Sequence, residues 1–124
     1  MLRPTASESE IVDFVLDVVK RAGADACPPL ILGIGMGGTF DHAALLSKRA
    51  LLRSIETKNT KKHFRMLEKT LLKAVNSLKI GPMGLGGNTT ALAVNIEEFP
   101  THIAGLPIAV SVSCHATRSA EKIL

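Results

Sequence analysis

The chain has no Trp, no Tyr, only four Phe and just two Cys among its 124 residues. The missing rings argue against a stacking-type binder of single-stranded nucleic acid, which needs exposed aromatics as platforms for bases. Two cysteines exclude a disulfide-dense secreted scaffold. No apolar run reaches the roughly 18–20 residues of a membrane span. Met1-Leu2-Arg3-Pro4 lacks the apolar stretch of a signal peptide. These absences point to a soluble protein of a reducing compartment, with a cytoplasmic location expected. What is there, 46% apolar and 21% charged residues, is the composition of one ordinary globular domain able to bury a core.

The net charge of +4 is unevenly spread. Residues 48–79 carry ten Lys/Arg against Glu56 and Glu68, a local +8 that leaves the rest of the chain at −4. Such a stretch invites a nucleic-acid reading, but no nucleic-acid-binding motif accompanies it. A helix with a lysine-rich solvated face explains it without a ligand.

Apolar spacing predicts a mixed α/β (α+β) unit, with helices packed on a small sheet and two Gly-rich loops. Ser7 and Glu10 have capping-box spacing. Ile11, Phe14, Val15, Val18 and Val19 then recur at helical spacing up to Gly23. Cys27-Pro28-Pro29 cannot continue a helix, and Leu30–Ile34 reads as a short buried strand. It runs into the first glycine cluster, residues 33–38. Thr39 is a candidate cap for a helix reaching about Arg53, with Phe40, Ala43, Ala44, Leu46, Ala50 and Leu51 inward. A second basic helix is predicted over Thr60–Leu78, followed by the second glycine cluster, residues 81–87. Leu92, Val94 and Ile96 alternate with Ala93, Asn95 and Glu97 as in a strand with one buried face. A last strand spans Ile108–Ser113.

Eight of the ten glycines fall in the two clusters. A strand, glycine turn and helix in succession can hold an anion on backbone N–H groups. The acidic residue that a dinucleotide fold wants after a second strand has no counterpart, because Glu56 follows a helix. Tight turns explain part of the first cluster, and the surplus glycines imply close approach to a ligand or another chain. Cys27 and Cys114 lie at loop edges, where function concentrates, although a free Cys is commonly a small buried hydrophobe. A zinc site built on them with His102 and His115 would lack the close-spaced ligand pairs of structural zinc. A thiol nucleophile would need a neighbouring base. His102 reads equally as a hydrogen-bonded structural residue.

Cys27-Pro28-Pro29, the stretch LILGIGMGGTFDHAALLSKRALLR, the stretch IGPMGLGGNTTALAVNIEEFPTHIAGLPIAV and the closing Cys114-His115-Ala116-Thr117-Arg118 together resemble a known family. It is the class I, iron–sulfur-dependent fumarate hydratases and L-tartrate dehydratases, in their α subunit or N-terminal catalytic domain. The resemblance covers nearly the whole chain. It implies a [4Fe–4S] cluster held by three cysteines, whose open iron serves reversible hydration of a C4 dicarboxylate, fumarate/malate or tartrate/oxaloacetate. Carried over, Cys27 and Cys114 match two cluster ligands. His102 matches a catalytic His close to the substrate, and Arg118 matches a basic substrate-binding position.

The family's third cysteine belongs to a motif upstream of the position equivalent to Met1, and its β subunit or C-terminal domain is a separate piece. The expectation is therefore that residues 1–124 are the C-terminal portion of an α-type catalytic domain, partial and inactive alone. Its partners would be the upstream segment and the β subunit, within a homo-oligomer of the complete enzyme. A non-catalytic module of the same origin, acting through interaction or anion binding, is the alternative.

Overall fold

The computed structural model describes residues 1–124. The first helix, α1 (Glu8–Ala22), starts where the capping box places it. The Ser7 N–H donates to the Glu10 carboxylate at 2.8 Å, and the Glu10 N–H donates to Ser7 Oγ at 3.3 Å. These donors, the Ser7 backbone first and the Arg3 guanidinium next, hold the Glu10 carboxyl below its usual range. A short 3-10 turn, Gly23–Ala26, then leads to Cys27.

The sheet has three strands in the order β2-β1-β3. The central strand β1 (Leu30–Gly37) pairs in parallel with β2 (Ala91–Phe99) and antiparallel with β3 (Ile108–Val112). Helices α2 (Phe40–Leu51) and α3 (Lys62–Ser77) make the crossover that a parallel β1–β2 pair requires. The architecture is the expected mixture of helices and a small mixed sheet.

The even and odd positions of β1 do different jobs, as the two-residue period of a strand dictates. Leu30, Leu32, Ile34 and Met36 join Ile11, Val15 and Val19 of α1 and Leu67, Leu71 and Val75 of α3 in one core. The odd positions 33 and 35 are glycines because α2 lies directly on them. A Cβ on Gly35 would sit 1.9 Å from the Ala43 carbonyl oxygen, and one on Gly33 would sit 2.1 Å from that of Ser47. The first glycine cluster is therefore largely strand rather than loop. Its close approach is to the chain's own helix, and only Gly37 and Gly38 form the turn.

Three further expectations change. Leu92 does not share the buried face of Val94 and Ile96. The β1–β2 register shifts between Leu30 and Ile31, which pair with Ala91 and Ala93, so Leu92 is skipped and left exposed. Both faces of β2 are covered from Ala93 to Ile96, and Asn95 Nδ2 donates to the carbonyls of Ala50 and Arg53. Phe40 and Ala44 are exposed, while the face of α2 that packs holds Ala43, Leu46, Ser47 and Ala50. Thr39 precedes α2 without capping it, since its hydroxyl donates to the Asp41 carboxylate at 2.5 Å and lowers that carboxyl's pKa.

The basic stretch is mostly solvated surface, with Lys62, Lys69 and Lys73 outward on α3. Arg53 is the exception. It pairs with buried Glu68, whose Oε1 also accepts from the Ile96 N–H at 2.9 Å and from Asn59 Nδ2 at 3.1 Å. This polar knot ties the α2–α3 loop to α3 and β2.

Candidate metal centre

The candidate residues stand at two ends of the sheet. At the start of β1 stand the Cys27 turn, the second glycine loop and the segment after β3. At its finish stand the Gly37–Gly38 turn, the start of α2 and the β2–β3 loop.

Antiparallel pairing creates the first end. Leu32 lies opposite Val112, so the chain leaving β3 arrives beside the residues entering β1. Ser113 fixes that meeting: its N–H donates to the Ile31 carbonyl at 3.0 Å, and its Oγ accepts from the Ile31 N–H at 2.9 Å. Cys27 and Cys114, far apart in sequence, are thereby brought face to face. Their sulfur atoms and a ring nitrogen of His115 all lie within 4.8 Å of one another. Both cysteines are free thiols, Cys114 exposed and Cys27 half-buried.

The Cys27 turn is held from three sides. Cys27 has φ +56° and ψ 60°, a left-handed conformation that costs a non-glycine residue on the order of 1 kcal/mol. Its N–H donates to the Ala24 carbonyl at 2.9 Å. The second glycine loop braces the turn, with the Met83 N–H donating to the Pro28 carbonyl at 2.8 Å. Gly84 lies so close that a Cβ there would meet the Ala24 side chain at 2.4 Å. Arg118 closes the third side by donating from Nη2 to the carbonyls of Cys27, at 3.0 Å, and Pro29. The second cluster is thus a brace for the cysteine turn.

Beside this centre, Ile31, Leu45, Leu51, Leu52, Ser113 and Thr117 line a groove of about 600 Å³ that Lys48 and Arg49 border. Arg118 adds another cation at the same end. In the sequence Lys48 and Arg49 read only as helix surface, because the packing of α2 is what brings them to the groove. His115 is legible as a neighbour of Cys114, yet its convergence with Cys27 depends on strand register.

His102 stands elsewhere. It belongs to the β2–β3 loop, where its Nδ1 accepts from the Ala104 N–H at 3.1 Å. With Gly38, Thr39, Phe40 and Thr101 it lines a separate cavity of about 320 Å³. The eight residues of β1 lie between the two ends, a separation of roughly 23 Å at the rise of a strand. The structure brings together Cys27, Cys114 and Arg118, and keeps His102 apart from them.

No helix is long and apolar enough to cross a membrane. The sequence model of the fumarate hydratase (Fumerase) family matches residues 1–122. A Methanocaldococcus jannaschii protein, named provisionally as L(+)-tartrate dehydratase subunit alpha, is 48% identical over 122 residues, covering 98% of this chain and 43% of that protein. The L(+)-tartrate dehydratase subunit alpha of Escherichia coli K12 is 35% identical over 118 residues, covering 95% of this chain and 39% of its own length. The chain therefore spans about two fifths of the curated relatives it matches. On the extent of the family match and these identities, the chain belongs to the fumarate hydratase (Fumerase) family.

Proposed function

We propose that this chain contributes part of the catalytic centre of a hydro-lyase acting on a C4 dicarboxylate, fumarate/malate or tartrate/oxaloacetate. The observation that carries the reading is the convergence of two free thiols from opposite ends of the sequence, in a family whose relatives are named for this chemistry. Donor type and approach suit an iron–sulfur cluster, because thiolates are its usual ligands. The number falls one short of the three cysteines implied by the resemblance, so the third comes from another segment. Cys27 and Cys114 would hold the [4Fe–4S] cluster. Its open iron would supply Lewis acidity toward a substrate hydroxyl or carboxylate.

The chain's own residues prepare that chemistry. Lys48, Arg49 and Arg118 place positive charge at the cysteine end, suited to a dianionic substrate. Arg118 serves twice, since Nη2 holds the Cys27 turn while its remaining N–H groups are free to donate to a carboxylate. The second glycine loop keeps the Cys27 sulfur aimed at Cys114. His102, one sheet length away, acts on substrate only where another polypeptide brings a metal centre to its end, so its catalytic role belongs to the assembled homo-oligomer.

Exposed Phe40, Leu45, Leu52 and Ile55 support an extensive interface on the α2 side, for the rest of an α subunit or for a β subunit. The assembled enzyme is expected in the cytoplasm and the chain alone is expected to be inactive. The test is dehydration of L-tartrate and hydration of fumarate by the chain assembled anaerobically with the remaining segments of a relative, iron and sulfide present. Cys27→Ser and Cys114→Ser each abolish turnover if the reading holds. Full turnover by either variant, or by the isolated chain, overturns it. A non-catalytic module gains if the complete assembly with intact cysteines is also inactive.

A further inference from the structure

We propose that the outer edge of β3 is a docking site for one more antiparallel strand, supplied by the stretch of α subunit that immediately precedes Met1 in the assembled protein. The inference rests on one part of the reading above, that residues 1–124 are the later portion of an α subunit. It asks nothing of the cluster or the reaction.

Strand period fixes what the edge offers. The Ser113 N–H donates to the Ile31 carbonyl, and the Gly37 N–H donates to the Pro107 carbonyl. Residues 107, 109, 111 and 113 therefore turn their backbone groups toward β1, while Ile108, Val110 and Val112 turn theirs outward. No strand of the sheet lies beyond β3, and the outward N–H and C=O groups have no protein partner. Val110 and Val112 are only half-buried.

The opposite edge shows how this chain closes a strand that nothing else covers. On β2, Glu68 Oε1 accepts from the Ile96 N–H at 2.9 Å, and Asn59 Nδ2 donates to the Ile96 carbonyl at 3.1 Å. Asn76 Oδ1 accepts from the N–H groups of Thr90 and Ala91 at 2.8 and 2.9 Å. The irregularity at Leu92 interrupts the same edge. Polar caps and bulges of this kind protect a free edge from pairing. β3 has neither. No Asp, Glu, Lys or Arg lies between Glu98 and Arg118, and the register with β1 is unbroken from Ile108 to Val112. A regular, apolar, uncapped edge is a template for an added strand.

Leu2 identifies the occupant. It makes an antiparallel bridge to Leu106, with N–H to carbonyl bonds of 3.0 Å in both directions. Leu106 shares the outward parity of Ile108, Val110 and Val112, so Leu2 already holds the next strand position. Antiparallel partners step in opposite directions. Continued from Leu2, the residues two, four and six places before it fall opposite Ile108, Val110 and Val112. A strand in that register arrives beside Val112, close in the chain to Cys114, at the end of the sheet where the cluster needs its third cysteine.

The test is residue-resolved hydrogen exchange, read by NMR. It compares this chain alone with the chain fused at Met1 to the residues that precede the matched region in the Methanocaldococcus jannaschii relative. In the chain alone, the Ala109 and Ser111 amides should exchange slowly and those of Ile108, Val110 and Val112 fast. In the fused subunit the outward three should slow at least about tenfold, with or without iron and sulfide. That independence separates the strand from the hydro-lyase reading, which turnover tests. Val110→Pro removes an outward N–H and no bond to β1. In the fused subunit it should return Ile108 and Val112 to fast exchange while Ser111 stays slow, with circular dichroism checking that the variant is folded. Fast exchange of the outward amides in the unmodified fused subunit overturns the proposal. So does protection that appears in the chain alone together with a concentration-dependent dimer, which would make a second copy the occupant. Protection that appears only on adding a β subunit overturns it too.

Discussion

Replacing Gly35 by alanine tests the contact on which the packing of α2 against the sheet depends. The added Cβ would stand 1.9 Å from the Ala43 carbonyl oxygen and 2.6 Å from the Ser47 nitrogen, both backbone atoms that no rotamer change can move aside. Reaching ordinary contact at 3.4 Å requires α2 to withdraw by about 1.5 Å, the difference between the two distances. That withdrawal stretches the buried Ser47–Ser111 hydroxyl bond of 2.8 Å and the 3.1 Å bond from Asn95 to Ala50, each worth roughly 1 kcal/mol. Lost packing adds about 1–3 kcal/mol, so the cost is on the order of 4 kcal/mol, a large part of a typical domain's stability of roughly 5–15 kcal/mol. Gly86→Ala is the control. It has φ +88° but no atom within 4 Å of the new Cβ, so only backbone strain of about 1 kcal/mol is expected. Urea unfolding of both variants against the parent measures the difference through the transition midpoint at constant slope. A Gly35→Ala variant as stable as Gly86→Ala would refute the close approach of α2 to β1.

Other expectations follow from the polar contacts. Glu68→Ala leaves the Arg53 guanidinium, as carboxylate partner, only its longer contact with Glu97 at 3.5 Å and removes the acceptor for the Ile96 N–H, so urea unfolding should show a loss of about 3 kcal/mol. Restored stability in the double variant Arg53→Met/Glu68→Leu would place that cost in the abandoned charge. Arg118→Ala should lower turnover of the anaerobic assembly about tenfold by releasing the Cys27 turn, with a stability change under about 0.5 kcal/mol because the side chain is exposed. Unchanged turnover and unchanged iron content in the variant assembly would deny it a positioning role. The Glu10 carboxyl is held below its ordinary pKa, so its contribution to stability is present above the unfolded value and fades as pH falls through the folded one. Glu10→Gln should flatten that acid limb of the thermal unfolding profile, and identical limbs would contradict the capping box.

Much of the fold is legible in the sequence because local physics decides it. Ser7 and Glu10 announce the start of α1, and alternation at Ile108, Val110 and Val112 announces β3. The misses share a cause, since they depend on register and on which element lies across the sheet. Nothing local distinguishes a glycine needed for a turn from Gly33 or Gly35, where a helix backbone occupies the space of a side chain. The extra residue at Leu92 is likewise invisible until β2 pairs with β1. The family resemblance selects Cys27 and Cys114, and antiparallel pairing of β1 with β3 brings them together. It gives no sign that His102 stands at the other end of the sheet, or that His115 completes a three-donor set.

Cys27 and Cys114 are, on this reading, two ligands of one cluster. The most direct test is the iron and acid-labile sulfide content of the chain assembled anaerobically with the rest of a tartrate dehydratase relative. Cys27→Ser and Cys114→Ser assemblies should lose the cluster, while His102→Ala should keep full iron and sulfide and lose turnover. Full cluster content in either cysteine variant would contradict the assignment.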